Sequence, residues 1–225
     1  MKYPLATGFG PYDVRMVALP PSDQPLLGAV VRLDPFEEAD ADALAELLLD
    51  PALHEGGFIM YEPPTTHDEA VDWVWTRWVI RGHHDLHQRF SYAVRLNDDS
   101  DLGLAGTLVG VTSLGLFEPA NESVHVGWTV YGRPWWGTRV NAEAKLLLLR
   151  EAFETLHYGR VQLQTDAVNQ RSQAAIERLG AVREGVLRRH MVRADGTFRD
   201  TVVYSILADE WPTVRAGLEA RLAAG

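Results

Sequence analysis

Between Phe90 and Tyr131 the chain passes through three β-prone stretches joined by turns, and it then enters its clearest helical pattern, Ala142 to Leu156. Phe90 to Leu96, Leu104 to Phe117 and Ser123 to Tyr131 alternate or run apolar, with Asn97-Asp98-Asp99 and Glu118-Pro119-Ala120-Asn121 as breaks. Short breaks between such runs favour an antiparallel meander, because antiparallel neighbours need only a few linking residues. In the helix, Ala142, Leu146, Leu149, Phe153 and Leu156 recur on one face, and Gly159 stops it. A meander feeding a long amphipathic helix excludes all-α and all-β architectures and predicts a mixed α/β fold of the α+β kind.

The flanking segments extend the same pattern. Ala29 to Leu33 reads as a strand, and Glu38 to Leu49 as a helix with Ala41, Leu44, Ala45 and Leu48 on one face. Thr66 and Glu69 form a capping box that opens a helix over His67 to Arg81, in which Trp75 and Trp78 are expected in the core and Trp73 at a gap. After Gly159, Arg160 to Thr165 is a strand and Asn169 caps a short helix ending at Leu179-Gly180. Val182 to Val192 and Thr201 to Leu207 form a hairpin, and a helix over Asp209 to Leu222 closes the chain. Residues 1–27 hold seven of the prolines and glycines without periodicity (Pro4, Gly8, Gly10, Pro11, Pro20, Pro21, Pro25), which predicts an irregular arm before a single domain at 28–225.

Composition narrows the chemistry. There is no cysteine, so disulfides, thiolate metal sites and a cysteinyl thioester are excluded. A net charge of −10 argues against nucleic acid as a partner and suits either a cationic substrate or plain solubility. The densest apolar run, Leu146 to Leu149, is bracketed by Lys145 and Arg150 and falls far short of the roughly 20 residues that span a bilayer. Met1 to Gly10 lacks the apolar stretch of a secretory signal, so the cytoplasm is the expected compartment. His83, His84 and His87 raise a metal reading that no matching carboxylate or cysteine supports, and no metal is expected.

The segment Val126 to Asn141 is a strand that ends in a Gly-containing loop opening a helix. Such a junction presents free amides at the positive end of the helix dipole and suits a pyrophosphate, although many similar junctions bind nothing.

With this loop in view, the chain resembles the GNAT superfamily of N-acetyltransferases, in its RimJ/RimL-like branch. The resemblance runs from about Gly28 to Leu222. It rests on the element order, on Pro134-Trp135-Trp136-Gly137-Thr138 with Asn141 and Glu143 opening the helix, and on Asn169-Gln170-Arg171-Ser172. Arg178-Leu179-Gly180-Ala181 with Glu184-Gly185, and the late Glu210-Trp211, complete it. It implies a central, mostly antiparallel, twisted sheet flanked by helices, with a V-shaped split between the fourth and fifth strands. It also implies acetyl-CoA as cosubstrate and a primary amine as acceptor, either a protein N-terminus or a small molecule, by direct transfer in a ternary complex. Homodimerisation stays open, and a catalytically weak acyl-CoA-binding module is the alternative.

By the same resemblance, the backbone of Trp128, Thr129 and Val130 would pair with the pantetheine arm. Trp136 and the amides of Gly137, Thr138, Arg139, Val140 and Asn141 would hold the pyrophosphate, and Asn169 and Ser172 would lie near the thioester sulfur. Two positions depart from the family pattern. Arg139 stands where relatives carry a small residue, and is either a phosphate contact or an exposed loop arginine. Ile176 stands where many relatives carry the tyrosine that protonates the leaving thiolate. Ser172, four residues earlier on the same face, is then the candidate acid, its alternative being local bonding at a helix terminus. Relatives often place a glutamate two residues before the strand glycine; here that position is His125, a candidate base if it titrates near neutrality and otherwise a structural residue. Glu37, Glu38, Asp40 and Asp42 could attract a cationic acceptor or simply match a helix dipole.

Overall fold

The computed structural model describes residues 18–55, 62–79 and 89–224. One eight-stranded sheet runs through them: β1 (Leu26–Leu27), β2 (Val31–Pro35), β3 (Arg89–Leu96), β4 (Leu108–Glu118), β5 (Ser123–Tyr131), β6 (Arg160–Asp166), β7 (Val182–Val192) and β8 (Phe198–Leu207), in the order β1-β2-β3-β4-β5-β6-β8-β7. All neighbours are antiparallel except β5 and β6. The expected meander is present as β3-β4-β5. Its second strand starts at Leu108 rather than Leu104, because residues 97–107 close a longer turn with a Ser100–Gly103 bridge.

The helices are α1 (Ala41–Leu48), α2 (Pro51–Glu55), α3 (His67–Val74), α4 (Arg139–Arg150), α5 (Gln170–Glu177) and α6 (Trp211–Ala223). α1 and α3 cover one face of the sheet through Leu44, Leu48, Ala70, Val74 and Trp78, which pack on Ala93, Val111 and Val130. α4 lies on the other face, against Val94, Leu114, Val126 and Val161. The predicted stripe of α4 is buried, but so are Glu143, Ala144, Lys145, Leu147 and Leu148 on its other sides. Glu143 meets the turn before β2, Lys145 reaches Thr112 and Thr129 on the sheet, and α6 lays Val214 and Leu218 in the same cluster and stacks Trp211 on Phe153, ring centroids 5.5 Å apart.

The capping box at Thr66 and Glu69 forms as expected. After Val74 the helix widens to π geometry over Trp75–Val79, which rotates later side chains away from the ordinary helical face. Trp78 is buried as predicted, whereas Trp75 is half-buried and Trp73 packs against Trp78 with the rings tilted by 51° and centroids 5.3 Å apart. Residues 80 and 81 of that predicted helix lie outside the described residues, as do His83, His84 and His87.

Of the predicted arm, residues 1–17 lie outside the described residues and 18–27 run along the domain. Ala18 is buried in the core, the Leu19 amide donates to the Leu156 carbonyl at 2.9 Å, and Leu26 and Leu27 pair with β2. No helix among the described residues is long and apolar enough to cross a membrane.

Candidate active site

The fourth and fifth predicted strands are β5 and β6, since the two-residue β1 precedes them. They run parallel and pair at only three positions, Ser123 with Arg160, Val124 with Val161 and His125 with Gln162. β5 continues to Tyr131 and β6 to Asp166, so the strands part after His125, and the β6-facing backbone of Val126 to Tyr131 has no strand partner among the described residues. An unpaired edge of this kind offers amides and carbonyls to an extended ligand.

At that point β5 also bulges. Ser113 pairs with Gly127 and Val111 with Val130, so Thr112 alone faces Trp128 and Thr129. Trp128 takes a left-handed backbone with φ 49°, an uncommon conformation for a bulky residue. Gly127 permits the bend: a Cβ there would lie 2.4 Å from Nε2 of His125, whose ring folds over it. That ring meets Trp128 edge-on at 5.0 Å, and the guanidinium of Arg89 lies 5.2 Å from the Trp128 centroid.

The loop after β5 is braced by its own side chains. Trp136 Nε1 donates to the Tyr131 carbonyl at 2.7 Å, Trp135 Nε1 to the Leu102 carbonyl at 3.0 Å, and Thr138 Oγ1 to the Trp135 carbonyl at 2.8 Å. Thr138 then caps α4, accepting from the Val140 amide at 3.3 Å. Gly137 has φ 75°, and a Cβ on it would meet nothing within 4 Å, so its freedom serves the turn and its surroundings are open. The amides of Arg139, Val140 and Asn141 open the helix, where geometry leaves them without intrahelical acceptors. The Arg139 side chain forms an ion pair with Asp101 of the β3–β4 turn, so it has a protein partner.

On the other arm, Asn169 Oδ1 accepts from the Ser172 amide at 3.0 Å and caps α5. The Ser172 side chain is half-buried. Ile176, one turn on, is buried in the core. Of the two residues between Asn169 and Ser172, neither of which the sequence gives a role, Arg171 places its guanidinium 3.5 Å from the centroid of Trp136. Only the order of the segments around a split sheet could have signalled that contact.

His125 departs from expectation. It is 3% exposed, Nδ1 has no hydrogen-bond partner among the described residues, and burial together with the positive charges of Lys145 and Arg199 lowers its pKa to about 3. The titration near neutrality expected of it as a base is therefore not what this site produces. Beneath the bulge, Lys145 of α4 is also buried, and desolvation lowers its pKa to about 7. Among the acids near α1, Asp40 pairs with Arg95 and accepts the Glu37 amide, and Asp42 lies near His67, so both already have partners. Among the described residues no group of three potential metal ligands comes together.

Residues 31–182 match the acetyltransferase (GNAT) domain model, about two thirds of the chain. The chain is 28% identical over 177 residues, 78% of its length and 90% of the other's, to YdaF of Bacillus subtilis (strain 168), which carries a provisional name as a ribosomal N-acetyltransferase. A T. thermophilus structure with a provisional name as an acetyltransferase superposes with a TM-score of 0.73 at 38% identity, covering 88% of this chain and 97% of that one. RimJ of Mycobacterium smegmatis, solved with CoA-disulfide, shares the fold at a TM-score of 0.69 and 22% identity, covering 91% of this chain and 96% of that one. With the domain model matched over more than half of its length, the chain belongs to the GNAT acetyltransferase family.

Proposed function

We propose that the single domain over residues 28–225 transfers an acetyl group from acetyl-CoA to a primary amine, directly and within a ternary complex. The observation that carries this reading is the end of β5–β6 pairing at His125 and Gln162, which leaves an extended, unpaired backbone edge beside a helix N-terminus. The Trp128 to Val130 backbone pairs with the pantetheine arm. The amides from Gly137 to Asn141 hold the pyrophosphate, helped by Trp136 and the cap at Thr138. Asn169 and Ser172 border the thioester from the other arm. Arg139 reaches phosphate only by giving up Asp101.

In the transfer, the neutral amine nitrogen attacks the thioester carbonyl, the C–S bond breaks, and the electron pair stays on sulfur. Ser172 supplies the proton that makes the thiol and is reprotonated from water. The amine proton also leaves to water. An imidazole with a pKa about 3 is a poor acceptor from an ammonium of pKa about 8 to 10, so His125 serves as the neutral buttress of Gly127 and Trp128. The acceptor is a protein N-terminus or a small amine, drawn in by a chain of net charge −10, and the reaction belongs to the cytoplasm.

Initial velocities with both substrates varied test the mechanism. Direct transfer produces intersecting double-reciprocal lines, whereas parallel lines would mean an acyl-enzyme intermediate and would overturn it. Acetyl-CoA binding without coenzyme A release for any amine would point to a binding module instead.

A further inference from the structure

Lys145 stands on the helix that follows the loop, and its side chain ends in a hydrogen-bonded cluster under the β5 bulge. Its Nζ lies 2.6 Å from Thr129 Oγ1 and 3.0 Å from Thr112 Oγ1, and the two hydroxyls lie 2.8 Å apart. Thr129 Oγ1 also lies 3.4 Å from the Gly127 carbonyl. These residues are not arbitrary. Thr112 is the β4 residue opposite the bulge, and Gly127 and Thr129 flank Trp128, whose φ is 49°. The ammonium thus reaches both strands at the place where their ladder is broken.

Stability alone does not explain a lysine here. It is 6% exposed, no carboxylate hydrogen-bonds or ion-pairs with it among the described residues, and burial depresses its pKa from 10.5 to about 7, which records the cost of keeping it charged. A methionine of similar length would fill the same space without that cost. What methionine could not do is donate to both threonines and fix the strand edge.

Resting on the acetyl-CoA reading of the split, we propose that Lys145 is a positioning residue: through Thr112 and Thr129 it holds the Trp128 bulge in the shape that presents the β5 backbone to the acyl donor. It touches neither substrate. Its influence passes through the two hydroxyls, and it falls on donor binding and turnover rather than on the acceptor.

Lys145→Met in the full chain tests this. The expected result is a melting temperature equal to or above that of the parent, with the dissociation constant for acetyl-CoA raised roughly tenfold or more and the KM for the amine little changed. A lower melting temperature with unchanged acetyl-CoA affinity and kcat would make Lys145 merely structural and overturn the proposal, as would a variant unchanged in every respect. Should Lys145→Met not fold, Thr112→Val and Thr112→Ser carry the test. Valine is expected to reproduce the loss of donor affinity and serine to recover it, whereas equal affinities in the two variants would overturn it. Failure of the parent protein itself to bind acetyl-CoA would instead sink the underlying functional reading.

Discussion

The guanidinium of Arg171 lies 3.5 Å from the centre of the Trp136 ring, and the two residues sit on opposite arms of the split. Trp136 follows β5 and Arg171 opens α5 after β6, so the stack ties together the C-terminal ends of two strands that separate at His125. The contact partly desolvates Arg171 and lowers its pKa from the usual arginine value, though it stays charged at any physiological pH.

Arg171→Ala removes this tie. A cation–π contact of this kind is worth about 1 kcal/mol when partly exposed, so acetyl-CoA affinity is expected to fall roughly fivefold. Isothermal titration with acetyl-CoA checks it, and tighter binding by the variant would mean that the stack obstructs the donor groove instead of shaping it.

Two substitutions at Gly137 separate backbone strain from charge. With φ 75° and open space around its missing Cβ, Gly137→Ala should cost only about 1 kcal/mol of stability and leave the KM for acetyl-CoA nearly unchanged. Gly137→Asp adds a negative charge where pyrophosphate is proposed to lie and should raise that KM strongly. Equal KM values for the two variants would misplace the phosphates.

The pH dependence of stability has a sign set by two buried bases. His125 has its pKa lowered from 6.5 to about 3, so between those values the unfolded chain binds a proton that the folded one does not, and stability falls as pH drops from 6.5 toward 3. Lys145, lowered from 10.5 to about 7, acts in the same sense in its own window, and its contribution makes stability rise from pH 7 toward 10.5. His125→Asn should flatten the acid side of a melting-temperature profile. It should leave the acidic limb of kcat/KM in place, and loss of that limb would restore His125 as the base.

Glu143 of α4 accepts the amides of Ala29 at 2.9 Å and of Val30 and Val31 at 2.6 Å, fastening the turn before β2 to the helix. Gly28 allows the approach, because a Cβ there would lie 2.6 Å from the carboxyl carbon. Glu143→Ala strands these amides and should destabilise the fold by about 3 kcal/mol or more, read from chemical unfolding midpoints.

Much of this architecture is legible in the sequence because local rules decide it: turn residues at 97–99 and 118–121 delimit the meander, Thr66 and Asn169 mark helix starts, and Gly137 marks the loop. What stays hidden depends on partners far along the chain. Trp128 gives no hint of a left-handed backbone, since the bulge is imposed by the β4 pairings on either side of Thr112. Lys145 reads as a surface residue beside Leu146 until the helix packs on the sheet and brings it under Thr112 and Thr129, and His125 reads as an ordinary imidazole until burial lowers its pKa. The Arg171–Trp136 contact needs the split sheet to bring its two loops together.

Acetyl-CoA-dependent acetylation of a mixed amine panel, containing peptides with free N-termini, lysine side chains and small polyamines and read by mass spectrometry, tests the central claim most directly. The account predicts one added acetyl group on at least one amine, matched by coenzyme A release and slowed roughly 100-fold or more by Ser172→Ala with donor binding retained. An unmodified panel from protein that binds acetyl-CoA would contradict it.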